Sequence, residues 1–175
     1  MRGWILFAPL ALSMAACQGG GDNSRSGKIH VADQDHVSFA ELDGWSLRHD
    51  RGTWVQVGQG ERELSTISIR SVDRNGWSED RSPELVLPAT ETSLRALPSA
   101  QVHGPKDLDH PVYPASVFAV TFEPRSKKGK RYQRRHVVVF GDQRIFHVLL
   151  TAPDGAIENS QKPFDTVVNS VREEG

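Results

Sequence analysis

The chain has 175 residues, of which 37% are hydrophobic and 25% charged, with a formal net charge of -1 and a single cysteine. That length fits one domain after processing, and that composition supports a small core rather than disorder. The near-neutral balance excludes a general nucleic-acid binder, whose affinity rests on excess Lys and Arg.

Met1-Arg2-Gly3 is a short positive segment, followed by an apolar run from Trp4 to Leu12. The run is too short to span a bilayer as a helix and suits the core of a signal peptide. Ser13-Met14-Ala15-Ala16-Cys17 comes next. Small residues before a cysteine resemble the bacterial lipobox, with Met14 where Leu is commonest. The resemblance implies a lipoprotein signal peptide over residues 1–16, cleavage before Cys17, and acyl chains on its sulfur and on the new amino terminus. An exported chain with one unpaired thiol is otherwise hard to explain, since a free thiol is a liability in an oxidising compartment. Several acyl chains suffice for stable anchoring, where one gives marginal binding. Gln18 replaces the Asp that commonly retains lipoproteins at the inner membrane. The implied location is the cell envelope, on the outer membrane facing the periplasm if the host has one.

Residues 17–36 comprise Cys17 and a stretch rich in Gly, Ser, Asn and Asp without a hydrophobic period, which reads as a flexible linker. The folded domain is expected over residues 37–172. Val37 to Leu42 reads as a first strand, Asp43-Gly44 as a turn, and Trp45 to Arg48 as a second strand. Thr53 to Val57 and Leu64 to Val72 follow. In the latter, Ile67 and Ile69 form the inward pair, with Thr66, Ser68 and Arg70 toward solvent. Asp73-Arg74-Asn75-Gly76 closes that strand. Residues 83–97 read as a helix, or as two pieces divided at Pro88. Val102 to Leu108 reads as a further strand.

Residues 115–151 read as three antiparallel strands. Phe118, Val120 and Phe122 alternate with Val117, Ala119 and Thr121. Val137 to Phe140 and Ile145 to Leu150 flank the hairpin signal Gly141-Asp142-Gln143. Aligning Phe140 with Ile145 pairs Val139 with Phe146 and Val137 with Val148, an apolar face that a one-residue slip would break. Phe164, Val167, Val168 and Val171 form one stripe of a closing helix over residues 163–171. The charged tail Arg172-Glu173-Glu174 is expected to fray. Phe118, Phe122, Val139, Phe146, Val148, Phe164 and Val168 are the expected core.

This order predicts an α+β fold, an antiparallel β-sheet with packed helices. Gly44-Trp45, Tyr113-Pro114-Ala115, Gly141-Asp142-Gln143-Arg144, Thr151-Ala152-Pro153 and the closing Phe164-x-x-Val167-x-x-Ser170 helix resemble the PsbP-like or DcrB-like domains of small exported bacterial proteins. The resemblance covers roughly residues 37–172. It implies a non-catalytic binding or assembly module and carries over no site residues.

Motifs for chemistry are sparse. There is no nucleophile elbow and no Walker loop, and Gly58-Gln59-Gly60 lacks the rest of a dinucleotide loop, so no cofactor is expected. Asp73-x-Asn75-Gly76 lacks the acidic ends of a calcium loop and reads as a turn. Asp107-Leu108-Asp109-His110 offers ligand types but reads as a solvated loop before Pro111. In the register above, His136 and His147 are diagonal neighbours on one face. They read as a partly exposed pair, without a third ligand for a metal.

The basic stretch from Arg125 to Arg135 holds seven cations and no acid. At the end of a hairpin, Lys127, Lys128, Lys130, Arg131, Arg134 and Arg135 would project together toward an anionic envelope component or an acidic protein. The plainer reading is a solvated hairpin whose charges protect an edge. The expected function is a lipid-anchored, non-enzymatic envelope binding module. The alternative is a metal-dependent or hydrolytic envelope enzyme using the histidine and acidic loops.

Overall fold

A computed structural model describes residues 28–59, 65–74, 81–126 and 129–175. Ten strands and two helices follow one another in this order: β1 (Ile29–Ala32), β2 (Val37–Ala40), β3 (Trp45–Asp50), β4 (Thr53–Gly58), β5 (Thr66–Asp73), α1 (Pro83–Arg95), β6 (Gln101–Leu108), β7 (Ala115–Phe122), β8 (Tyr132–Phe140), β9 (Arg144–Pro153), α2 (Gln161–Ser170) and β10 (Arg172–Glu173). The larger sheet has seven strands in the order β3-β4-β5-β9-β8-β7-β6, and β1-β2-β10 form a three-stranded sheet. All pairings are antiparallel. The fold is therefore α+β, as the element order predicts.

The β8–β9 register is the one the apolar pattern selects: Phe140 faces Ile145, Val139 faces Phe146 and Val137 faces Val148. The burial of β8 shows why its sequence does not alternate. Val137, Val138, Val139 and Phe140 are all buried, because both faces of the central strands are covered. One face carries Ile67, Ile69, Val139, Phe146 and Val148 against Phe164, Val167 and Val168 of α2 and Phe39 of β2. The other carries Phe118, Val120, Phe122, Val138 and Ile145 against Leu94 of α1. The expected core residues are all buried, but they divide between these two clusters.

α1 is continuous through Pro88, with Pro83 in its first turn. Two expectations change. Part of the stretch read as linker is a strand: β1 pairs with β2 from Ile29↔Ala40 to Ala32↔Val37. Its inward residues are Ala32 and His30, whose ring lies 5.2 Å from Phe39 and 4.4 Å from Trp54. A histidine in an inward position hides the period, while Ile29 and Val31 stay outside. The charged tail also does not fray. Arg172 and Glu173 pair with Ser38 and Val37. The Glu173 carboxylate accepts the Gln143 N–H at 3.1 Å, so the tail clamps the β8–β9 turn.

The two sheets are joined through Gln56, which is fully buried in β4. Its Oε1 accepts the Leu42 N–H at 2.8 Å and its Nε2 donates to the Ala40 carbonyl at 2.8 Å. Both ends of the amide are thus used, as a buried polar group requires.

Candidate functional site

The α1 layer covers only part of its face. The helix packs beside β6, and Leu94 sits over Phe118 and Val138. The rest of that face, on β5, β9 and the near side of β8, is left open, and a cleft of about 960 Å³ lies between it and the helix. Pairing registers place the floor in rows. Arg70 of β5 faces His147 of β9, and His147 faces Val138 of β8. In the next row Ser68 faces Leu149, which faces His136. In the third, Thr151 faces Arg134. The period of two sends all of these to the same side.

Three arginines, Arg70, Arg81 and Arg134, line the cleft together with two histidines, and among the described residues no carboxylate does. Arg134 is the most informative. It is only partly exposed, its Nε donates to Thr151 Oγ1 at 3.1 Å, and its guanidinium carbon stands 5.0 Å from the Phe122 ring centroid. Burial lowers its pKa, although an arginine stays charged. Among the described residues none of the three is in an ion pair with a carboxylate. A partly desolvated cation without a counter-charge is costly, and such groups are ordinarily paired.

His136 and His147 touch at 2.9 Å, Nε2 to Nδ1. One ring N–H donates to the other ring's lone pair, so the contact requires at least one neutral ring. Burial first, then the His147 charge and Arg134, pushes His136 down to about 3. Burial, then Arg70 and Arg81, pushes His147 down to about 4. Both are neutral at pH 7. His136 is 8% exposed and its Nδ1 has no partner. The expectation of a partly exposed pair is corrected for His136: α1 shelters the face on which the register puts them. The wall opposite is largely apolar, with Leu85, Val86, Ala89 and Leu94 of α1 beside Thr90 and Ser93, and Ile145 and Leu149 of β9 lining the same cleft. Leu85 is 57% exposed.

The acidic loop is elsewhere and is not wholly solvated. Asp107 and Asp109 are exposed, but His110 is 8% exposed. Its Nε2 lies 3.1 Å from the Val168 carbonyl, and its Nδ1 accepts the Tyr113 N–H at 3.0 Å and the Val112 N–H at 3.3 Å. That pattern fits the Nε2–H tautomer and makes His110 a clamp between the β6–β7 connection and α2. Burial lowers its pKa. Among the described residues no three His, Cys, Asp or Glu side chains are grouped to hold a metal.

The described part of the basic stretch is divided between the hairpin end and the two faces of β8. Lys130 and Arg131 are exposed near the hairpin end, while Arg134 and Arg135 lie inside β8 on opposite faces. β8 begins at Tyr132, so the alternation of a strand divides them. Lys127, Lys128 and Cys17 lie outside the described residues. Arg70 and Arg81 carry no motif. Arg70 is exposed, as the reading toward solvent expects, on the face opposite the inward pair Ile67 and Ile69, and that reading did not foresee the cleft and helix beside it.

With this geometry in view, the architecture is PsbP-like. A Bacteroides thetaiotaomicron protein matches with a TM-score of 0.61 and 14% identity, over 86% of this chain and 49% of its own, so this chain spans about half of it. The cyanobacterial PsbP of Synechocystis sp. PCC 6803 matches with a TM-score of 0.55 and 13% identity, over 88% of this chain and 96% of its own. LpqN of Mycobacterium tuberculosis, involved in cell envelope biogenesis, matches with a TM-score of 0.54 and 16% identity, over 87% and 88%. At these identities the likeness concerns the fold. No family profile and no curated protein sequence matches the chain.

Proposed function

We propose that this protein is a non-catalytic binding module of the cell envelope, anchored by lipid on Cys17, with the cleft between α1 and the large sheet as its recognition site. The observation that carries the reading is the cleft itself: three arginines, two neutral imidazoles and a largely apolar helix wall, with no carboxylate among the described residues that line it. Its volume suits a small-molecule ligand. Histidines held near 3 and 4 are poor proton acceptors at neutral pH, where a general base works best with a pKa near the working pH. The envelope assignment draws on the lipobox-like residues ahead of Cys17 and on LpqN, a protein of the same fold involved in cell envelope biogenesis. Among the described residues no helix is long and apolar enough to cross a membrane.

Two measurements test this. Metabolic labelling with an alkyne fatty acid should mark the wild-type chain in the membrane fraction and leave Cys17→Ser unmarked. A photoreactive benzoylphenylalanine in place of Leu85, which lines the cleft and is already large and exposed, should capture a ligand in cells, while the same group at Val112, exposed and outside the cleft, should not. Equal capture at both positions would remove the cleft as the recognition site.

A further inference from the structure

We infer that the cleft takes an amphiphile with an oxyanion headgroup, a phosphate or carboxylate on an apolar chain, the headgroup meeting Arg70, Arg81 and Arg134 and the chain lying along Leu85 and Leu149. The inference rests on the cleft being the recognition site and adds the chemical class of its ligand. Charge complementarity is the first ground. Among the described residues the lining offers three guanidinium groups and no acid, in a chain whose net charge is -1. Arginine forks match oxyanions bidentately. Arg134 is fixed by Thr151 and Phe122 with no carboxylate among the described residues paired to it, so an incoming anion meets a preset cation.

A second ground is the orphaned polar atom. His136 Nδ1 is buried on the cleft floor without a partner, whereas native structures ordinarily satisfy such groups. The third is the other wall. Leu85 leaves 57% of its surface exposed on the α1 side of the cleft, beside the half-exposed Val86. A free phosphate would use the arginines and leave that apolar surface in water. An uncharged lipid would leave the arginines uncompensated. An amphiphilic anion satisfies both halves.

The test is calorimetric titration of the full lipidated chain in phosphatidylcholine nanodiscs, with empty nanodiscs as blank. The probes are hexyl phosphate, hexanoate, inorganic phosphate and the uncharged hexyl glucoside. Hexyl phosphate or hexanoate should bind once per chain, about tenfold or more tighter than inorganic phosphate and hexyl glucoside, the loss expected for one charge-assisted contact. Whichever of the two binds more tightly identifies the headgroup. Arg70→Gln and Arg81→Gln should each weaken that binding about tenfold, and rising salt should weaken it as well. Ala89→Trp should abolish it by filling the cleft from the exposed face of α1. Hexyl glucoside binding as tightly as the anions, with Ala89→Trp removing it, would overturn the anionic ligand and leave the cleft as the recognition site. Absence of binding by every probe, or anion binding indifferent to Arg70→Gln and Ala89→Trp, would overturn the inference. Capture at position 85 then decides the cleft's role separately.

Discussion

The histidine pair makes the fold acid-sensitive. The native state holds His136 near 3 and His147 near 4, whereas an unfolded histidine titrates near 6.5. The unfolded chain therefore binds protons first as pH falls. The contribution is complete above about 6.5 and is lost progressively toward the native values. The described charged groups around the pair are cationic, namely Arg70, Arg81 and Arg134, so none of them compensates a protonated ring. Urea midpoints should fall between pH 7 and pH 4.5 by an amount on the order of a few kcal/mol in stability. His136→Phe with His147→Leu should flatten that slope, leaving the smaller part due to His110, whose pKa burial lowers with the same sign. A slope unchanged in the double variant would refute the assignment. Gln56 belongs to the same scale. Gln56→Leu strands the Leu42 N–H and the Ala40 carbonyl and should cost about 1–3 kcal/mol, read from the same midpoints. The burial of Gln56 was not legible in the sequence, because a glutamine in a strand gives no sign of which backbone groups will lie beside it.

At the scale of elements, what was legible followed from local period and punctuation. Val139 facing Phe146 could be chosen because a slip would turn every apolar side chain of β9 outward. α2 was legible from four apolar residues on one stripe. β1 and β10 were not, since each is short and its pairing depends on β2 rather than on its own pattern. The irregularity of β6 was hidden for a similar reason. Its register against β7 shifts between His103 and Lys106, around Gly104. Gly104 has a φ of 114°, and a Cβ there would lie 2.7 Å from the Val117 carbonyl oxygen. Gly104→Ala should therefore destabilise by about 1–3 kcal/mol, the usual scale of a forced backbone conformation. A thermal midpoint equal to wild type would show that β6 can shift without cost. By contrast, Lys130→Glu with Arg131→Glu changes only exposed side chains near the hairpin end. That variant should leave the midpoint and cleft binding nearly unchanged, since exposed charges add little to stability.

The molecule as a whole is asymmetric about its large sheet. On one face α2 and the small sheet close a continuous cluster, in which Phe146, Val148 and Val167 have no exposed surface. On the other, α1 closes half of the face and leaves the cleft over the rest. The sequence showed both sets of apolar residues but not their separation. Phe118 and Phe146 carry the same pattern, and only the arrangement of strands sends them to opposite sides. The asymmetry predicts unequal costs of truncation. Phe146→Ala opens a void in a closed layer that cannot collapse, and should cost about 3–5 kcal/mol. Leu94→Ala removes an α1 side chain that borders the cleft, where the helix can settle toward the sheet and water already has access. Its cost should fall near the low end of the range for such substitutions, about 2 kcal/mol. Because that settling narrows the space between α1 and Leu149, Leu94→Ala should also weaken hexyl phosphate binding, while Phe146→Ala, on the far face, should leave the affinity of its folded fraction intact. Chemical denaturation and calorimetry on the two variants measure both quantities. Equal destabilisation, or loss of affinity in Phe146→Ala alone, would show that the two faces are energetically one core and that the cleft is not an independent layer of the molecule.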